Sequence, residues 1–265
     1  MTPVTKLQLI GGGKMAEALL GGLVHQRWAR ADELHVVELS DERQQHLTAT
    51  YEGLSVGDAP VDEVDAVIAV KPNVVAAVLP VLAAAKVRRV VSIAAGVTIA
   101  AMEAGLAPGT AVVRAMPNTP ALVGIGAAAI APGTSATSDD LAWAESILAA
   151  VGTVAVVDEV DIDAVTGLSG SGPAYVFHLA EALIAAGVAQ GLGAEVADSL
   201  ARQTLLGAAT LLSESGEDPG LLRTNVTSPG GTTAAGLAVM AEHGFEAMIA
   251  EVVSAAAARS RELGR

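Results

Sequence analysis

Leu7-Gln8-Leu9-Ile10-Gly11-Gly12-Gly13-Lys14-Met15-Ala16, near the start of the 265-residue chain, has the pattern of a short strand that runs into a glycine turn and then a helix. This arrangement matches the G-x-G-x-x-G/A fingerprint of dinucleotide-binding folds. Gly11 permits the tight turn, Gly13 lets a diphosphate approach the backbone, and Ala16 keeps helix and strand close. The diphosphate would lie on the N-terminus of the helix, where free N–H groups attract an anion. The segment therefore predicts an α/β protein that begins with a Rossmann-type dinucleotide-binding domain.

Beyond this turn, short β-branched runs alternate with helical stretches. Helices are predicted over residues 15–26, 74–85 and 139–150, and a polar helix begins at Asp41. Strands are predicted over residues 7–10, 34–39, 66–70, 90–94, 111–115, 127–131 and 154–157. Alternation of this kind predicts a parallel sheet covered by helices, which ends near Asp158.

The second half of the chain has a different composition. After an acidic stretch at residues 158–163 the strand pattern stops, and windows rich in Ala and Leu cover residues 172–190 and 193–213. We therefore predict a dinucleotide-binding domain at residues 1–158 and an all-helical domain at residues 159–265. Few charges interrupt these helices, and helices that are apolar on nearly every face must be buried. We expect a homo-oligomer with interleaved helical domains, because one chain cannot hide so much apolar surface.

The overall composition restricts the classes of partner. Hydrophobic residues make up 52% of the chain and aromatic residues 2%, so the core has to be built from Ala, Val, Leu and Ile. The formal net charge of −14 leaves no basic surface for a nucleic acid or an anionic membrane. A dinucleotide is also anionic, but a few oriented backbone N–H groups can hold it. We expect neither nucleic-acid nor membrane binding.

Cysteine and histidine usage narrows the chemistry. The chain has no cysteine, which excludes disulfides, zinc–thiolate sites, iron–sulfur clusters and thiol catalysis. The five histidines are scattered without metal-binding spacing, so we predict no metal site. The N-terminal sequence lacks a basic segment followed by a long apolar run, and the charge-free residues 116–138 are interrupted by prolines and glycines. These features predict a cytoplasmic protein without a signal peptide or a membrane span.

Two further features lie at the ends of predicted strands, where open α/β sheets bind their ligands. Glu38 follows the second strand at about the spacing at which an acid meets the adenosine ribose hydroxyls, and a carboxylate there favours NADH. Ser40 and Arg43 follow closely and could instead serve a 2′-phosphate, so NADH and NADPH both stay open. Ala69-Val70-Lys71-Pro72 closes a later strand and is a candidate wall of the nicotinamide site.

A second glycine-rich cluster, Thr227-Ser228-Pro229-Gly230-Gly231-Thr232-Thr233, precedes a predicted helix over residues 234–243. Glycine N–H groups at a helix start suit a carboxylate, and threonine hydroxyls can orient a substrate nitrogen. The alternative is an N-cap with a flexible entry loop. The density of glycine and hydroxyl residues favours a substrate site.

Six segments, distributed over nearly the whole chain, form a combined sequence pattern. They are residues 10–16, AVKP at 69–72, VSIAAGVT at 91–98, RAMPNTP at 114–120, GLSGSGPAY at 167–175 and SPGGTT at 228–233. In this order they closely resemble the pyrroline-5-carboxylate reductase family, and the last segment resembles the signature of that family. Six segments in the right order are far more specific than any one of them.

The resemblance implies NAD(P)H-dependent reduction of the cyclic imine 1-pyrroline-5-carboxylate to L-proline, the last step of proline synthesis. It also implies that the helical domain mediates dimerisation, with intertwined dimers that assemble into larger rings such as a decamer. A protonated cyclic imine accepts hydride directly, so such an enzyme mainly positions two molecules. Glu38 departs from the small polar residue often seen in NADPH-using members, which puts the usual cofactor preference in question.

The resemblance also carries over site residues position by position. Cofactor contacts fall on Gly11, Gly12, Gly13, Lys14, Met15, Ala69, Val70, Lys71, Pro72, Ala95, Gly96 and Asn225. Substrate contacts fall on Thr232, Thr233 and the neighbouring Glu159. Our mechanistic hypothesis makes Thr233 the catalytic residue, hydrogen-bonded to the imine nitrogen. The turn that contains Ser228, Gly230 and Gly231 then binds the substrate carboxylate.

Two other functions fit parts of the pattern. β-Hydroxyacid dehydrogenases resemble the chain in architecture, but they place a catalytic lysine on the first interdomain helix. The four lysines of this chain all lie in the first domain, at positions 6, 14, 71 and 86. A dinucleotide sensor or scaffold without catalysis would not require the intact Ser-Pro-Gly-Gly-Thr-Thr turn. Both alternatives are therefore less consistent with the sequence than an imine reductase.

Overall fold

The computed structural model describes residues 4–264. Its strands are β1 Leu7–Ile10, β2 Leu34–Val37, β3 Ser55–Gly57, β4 Ala66–Ile68, β5 Arg89–Ser92, β6 Ala111–Met116, β7 Gly126–Pro132 and β8 Gly152–Val156. They form one sheet in the order β3-β2-β1-β4-β5-β6-β7-β8. Because β1 lies between β2 and β4, the strand order reverses beside it. Ligands of open α/β sheets bind in the crevice at such a reversal, and Gly11 directly follows β1 there.

The predicted parallel sheet is confirmed except at one strand. β7 runs antiparallel to β6, while the other neighbouring pairs are parallel. The link between them, residues 117–125, contains only a short turn of 3₁₀ helix and is too short for a helical crossover. The edge strand β3 was not predicted, because three partly exposed residues give no clear alternation.

The helices surround and follow the sheet. They are α1 Lys14–His25, α2 Asp41–Thr50, α3 Pro72–Ala84, α4 Ile99–Gly105, α5 Ser138–Leu148, α6 Ile162–Val165, α7 Gly172–Ala189, α8 Ala194–Ser215, α9 Pro219–Asn225, α10 Thr232–Glu242 and α11 Phe245–Leu263. Leucines of α1 pack on one face of the sheet, and Val75 and Leu79 of α3 pack on the other. α10 begins two residues earlier than the sequence predicts. Thr232 and Thr233 therefore belong to its first turn.

The described chain separates into two compact units. Residues 4–171 together with 254–264 form the first unit, and residues 172–253 form the second. Residues 162–170 thus group with the sheet, since Ile162 is buried in the cluster beneath β4 and β5. The sequence predicts the domain boundary after residue 158, so it assigns this segment to the helical domain, whereas the compact units divide after residue 171.

The second unit contains almost no apolar core of its own. Within residues 172–253, all of which the structure describes, Ala197 and Ala201 are the only buried apolar residues. Large apolar side chains are instead exposed along α7 and α8: Val176, Phe177, Leu179, Leu183, Val188, Val196, Leu200, Leu206, Leu211 and Leu212. An exposed apolar surface of this extent marks an interface with another polypeptide. It agrees with the oligomer that the sequence predicts.

One helical run in the described chain, Glu159–Ala189, is long and apolar enough to cross a membrane by length and composition alone. None of its apolar window is buried within the chain. A helix that packs against a partner subunit meets the same two criteria. The run is therefore weak evidence for a membrane span.

Candidate active site

The glycine turn after β1 requires glycine at its first position. Gly11 has a φ of +105°, a conformation that L side chains rarely adopt. A Cβ atom there would lie 3.0 Å from the carbonyl group of Ala69 and from the side chain of Val70. The Gly11 N–H donates to the Val37 carbonyl at 2.8 Å, which ties the turn to β2. The structure thus brings Gly11 against the AVKP segment that the sequence predicts as a wall of the same site.

The N-terminus of α1 is open toward a ligand. Gly13 is its N-cap residue, with an extended backbone and no side-chain cap. A Cβ atom on Gly13 would have no neighbour within 4 Å. Lys14 and Met15 begin the helix and carry its first free N–H groups. Free donors at the positive end of a helix suit a diphosphate.

Glu38 lies against the turn at the end of β2. Its Oε2 atom accepts a hydrogen bond from the Gly12 N–H at 2.9 Å, and its Oε1 atom accepts one from the Ser40 N–H at 2.9 Å. Two backbone donors therefore fix the carboxylate in one orientation. The sequence predicts Glu38 near the adenosine ribose, and the geometry is compatible with that position.

Arg43 contacts the same turn. Its Nε atom donates to the Gly12 carbonyl at 3.0 Å, and its Nη2 atom forms an ion pair with Glu17 at 2.9 Å. Glu17 also accepts a hydrogen bond from His46 at 2.7 Å. Partial burial acts to raise the pKa of Glu17, but the hydrogen bonds from Arg43 and His46 outweigh it and hold that pKa below its ordinary value. The charge of Arg43 is thus compensated at neutral pH.

An apolar cavity of about 350 Å³ opens at the carboxyl ends of β1, β2 and β4. Gly11, Glu38 and Val70 line it, together with Leu39 and Val74. Its size and apolar walls suit an aromatic base. Leu39 and Val74 line this cavity but are not among the cofactor-site residues predicted from the sequence. The sequence shows only that an apolar residue, Leu39, follows the acid directly, and the structure adds that this side chain is 79% exposed.

The two other predicted cofactor segments also follow strands of the same sheet. Lys71 and Pro72 cap and begin α3, so the strand that was expected through Val70 ends at Ile68. Ala95 and Gly96 follow β5, and Gly96 has a φ of +77°. A Cβ atom on Gly96 would meet the backbone of Leu263 at 3.3 Å. The end of α11 therefore supports this turn.

Glu159 has a structural partner in the first unit. Its Oε1 atom accepts hydrogen bonds from Arg114 at 3.0 Å and from the Ile99 N–H at 2.7 Å. The Arg114 side chain is 7% exposed and that of Glu159 is 34% exposed. Glu159 is predicted from the sequence to contact the substrate, whereas its partner Arg114 is not among the predicted site residues. The carboxylate thus has a structural role, since it pairs with Arg114 of β6 and accepts the hydrogen bond at the start of α4.

The predicted substrate turn lies in the second unit, between α9 and α10. Ser228-Pro229-Gly230-Gly231 forms a β-turn in which the Gly231 N–H donates to the Ser228 carbonyl at 3.0 Å. Gly230 has a φ of +72°, as the third position of a type II turn requires. Thr232 and Thr233 are exposed in the first turn of α10, which has no side-chain cap. Asn225 ends α9, just before this turn.

Family models match both halves of the chain. Residues 159–263 match the family described as pyrroline-5-carboxylate reductase dimerisation. Residues 6–96 match the family described as NADP oxidoreductase, coenzyme F420-dependent. The two matches correspond to the helical half and to the sheet around the glycine turn.

Individual proteins are similar along the full length. The chain is 46% identical over 265 residues to pyrroline-5-carboxylate reductase of Synechocystis, with 98% of each protein covered. A solved structure of pyrroline-5-carboxylate reductase from Coxiella burnetii has a TM-score of 0.93 at 34% identity, with 99% of both chains covered. The Plasmodium falciparum pyrroline carboxylate reductase, solved with NADP bound, has a TM-score of 0.84 at 30% identity, with both chains fully covered.

The doubly wound sheet, the open glycine turn and the match over residues 6–96 define a dinucleotide-binding oxidoreductase. The similarity to full-length reductases extends over both the sheet and the helical half. The chain belongs to the pyrroline-5-carboxylate reductase family.

Proposed function

We propose that the protein reduces 1-pyrroline-5-carboxylate to L-proline with NADPH or NADH, the last step of proline biosynthesis. The observation that carries this proposal is family membership over nearly the full length of the chain. The imine nitrogen takes up a proton from solvent and the reduced dinucleotide gives a hydride to the imine carbon, so that C=N becomes CH–NH and the dinucleotide is oxidised. The open N-termini of α1 and α10 supply the two anion sites that a dinucleotide and an imino acid need.

The cofactor site is built around the glycine turn. Gly11, Gly12 and Gly13 let the diphosphate approach the first N–H groups of α1, at Lys14 and Met15. Glu38 meets the adenosine ribose, and the apolar cavity beside it takes the adenine. When bound, the reduced nicotinamide supplies the hydride. Its contacts come from Ala69, Val70, Lys71, Pro72, Ala95, Gly96 and Asn225.

The substrate site is the turn before α10. The Ser228 hydroxyl and the N–H groups of Thr232 and Thr233 bind the carboxylate, while Gly230 and Gly231 shape the turn. The Thr233 hydroxyl oxygen accepts a hydrogen bond from the protonated imine nitrogen and so orients the iminium group for hydride addition. Glu159 keeps its predicted place near the substrate in this proposal.

The helical domain, residues 159–265, serves dimerisation as well as substrate binding. The exposed apolar faces of α7 and α8 support a homodimer, and dimers of this family can assemble further, as in a decamer. The proposal includes a cytoplasmic location, and the formal net charge of −14 supports the absence of nucleic-acid and anionic-membrane partners. Light scattering at micromolar concentration should give a dimer or a multiple of it. A monodisperse monomer would contradict the assignment of these faces.

One assay set tests the function against its rivals. Oxidation of NADH and of NADPH is followed at 340 nm, each with 1-pyrroline-5-carboxylate and with a 2-oxo acid, and L-proline is measured in the products. We expect oxidation with the imine only, and one L-proline for each dinucleotide consumed. Oxidation with the oxo acid alone would instead indicate a hydroxyacid dehydrogenase. Dinucleotide binding without turnover would indicate a sensor.

Replacing Gly13 by alanine separates ligand binding from folding. The φ of −70° accepts alanine and the added methyl group meets no atom of the chain, so the melting temperature should stay within about 1 °C. The methyl group would occupy the space of the diphosphate, and we expect the dinucleotide Kd to rise about tenfold or more. Calorimetric titration measures this change. Gly193→Ala, at the equally open N-cap of α8, is the matched control and should leave Kd unchanged.

A further inference from the structure

We propose that Glu38 makes the dinucleotide site select NADH over NADPH. This inference rests on the proposed function and specifies which cofactor that function uses. Its first support is the fixed orientation of the carboxylate. The hydrogen bonds from Gly12 and Ser40, both 2.9 Å, leave Glu38 little freedom to swing away from a ligand on the glycine turn.

The second support is the charge of the cavity that Glu38 lines. Asp58 lines it as well, and no lysine, arginine or histidine does so among the described residues. A ribose that carries free hydroxyls can donate hydrogen bonds to a carboxylate. A 2′-phosphate offers only acceptors and brings additional negative charge toward two acids. Repulsion between like charges in a partly dehydrated cavity opposes NADPH.

The third support is that the guanidinium group of Arg43 already has partners within the protein. Arg43 is the residue that could serve a 2′-phosphate, but its guanidinium already donates to the Gly12 carbonyl and to the Glu17 carboxylate. Turning toward a phosphate would break both contacts and leave Glu17, 24% exposed, without its arginine. Ser40 is the N-cap of α2, where its hydroxyl accepts a hydrogen bond from the Arg43 N–H. Arg43, the only cation among the residues that the sequence left open, is therefore engaged within the fold.

The test measures binding separately from turnover. Kd values for NADH and NADPH are determined by titration calorimetry, without imine, for the parent protein and for Glu38→Gln and Glu38→Ser. We expect the parent to bind NADH at least about tenfold more tightly, and each variant to reduce that ratio about tenfold through tighter binding of NADPH. Glu42→Gln removes an equal charge from an exposed position of α2 and should leave the ratio within about twofold.

Several results would overturn the inference. One is that the parent protein binds NADPH as tightly as NADH or more tightly. Another is that both Glu38 variants have parent-like melting curves and the same ratio of the two Kd values as the parent. If both dinucleotides bind equally and the imine is still reduced, only the selectivity claim fails. If neither dinucleotide binds to the folded protein, the proposed function fails with it.

Discussion

Replacing Thr233 by alanine is expected to lower kcat for imine reduction about 100-fold without unfolding the protein. In our proposal the hydroxyl oxygen accepts a hydrogen bond from the protonated imine nitrogen while hydride arrives, and loss of one such oriented polar group costs about 10²- to 10³-fold. Thr233 is exposed in the first turn of α10, so its truncation removes no buried contact of the chain. Steady-state kinetics with saturating dinucleotide measure the loss, and thermal melting checks the fold.

Two companion variants sharpen this test. Thr233→Ser keeps the hydroxyl and should recover most of the turnover. Thr210→Ala, at an exposed position of α8, is a control for losing a threonine from this unit and should behave like the parent. Parent-like kcat and KM in Thr233→Ala would remove Thr233 from the mechanism.

Replacing Glu159 by alanine should destabilise the protein by about 2 kcal/mol. The change leaves the buried Arg114 guanidinium without its carboxylate and removes the acceptor for the Ile99 N–H at the start of α4. Removing one partner of a buried pair costs several kcal/mol, and we discount this because Glu159 is 34% exposed. Urea unfolding measures the loss. Glu145→Ala, an exposed acid on α5, should change the free energy of unfolding by less than about 0.5 kcal/mol.

Kinetics of Glu159→Gln distinguish its two proposed roles. The amide keeps an acceptor for Ile99 but loses the charge that Arg114 requires. A purely structural role predicts reduced stability with a nearly unchanged KM for the imine. A substrate contact predicts an increased KM at parent-like stability. Reduced stability together with an increased KM would support both roles, whereas parent-like stability would contradict our account of the Arg114 pair.

The sheet could be predicted from the sequence because its signals are local. β1, the glycine turn and α1 follow within 19 residues of one another, and buried parallel strands appear as short β-branched runs. The glycine cluster before α10 was recognisable for the same reason, and in the structure Pro229 and Gly230 take the positions that a type II turn favours. The scarcity of charged residues in the α7 sequence likewise predicted an interface with another subunit.

Other features depend on contacts between distant parts of the chain. Gln8 is fully buried in β1 and is satisfied by the backbone of Val61 and Val64, which no periodicity in the sequence indicates. The orientation of the Arg43 guanidinium depends on its pairing with Glu17 of another helix. The pair between Arg114 and Glu159 likewise joins residues 45 positions apart. Spacing alone could not decide which role these charged residues take.

Isotope transfer from the dinucleotide tests the central claim most directly. The enzyme is supplied with NADH deuterated at C4 of the nicotinamide and with 1-pyrroline-5-carboxylate, and the product is analysed by NMR and mass spectrometry. We predict L-proline that carries one deuterium on Cδ, the former imine carbon, when the transferred face is labelled. Oxidation of the dinucleotide without deuterium on Cδ from either face, or no proline at all, would contradict the account.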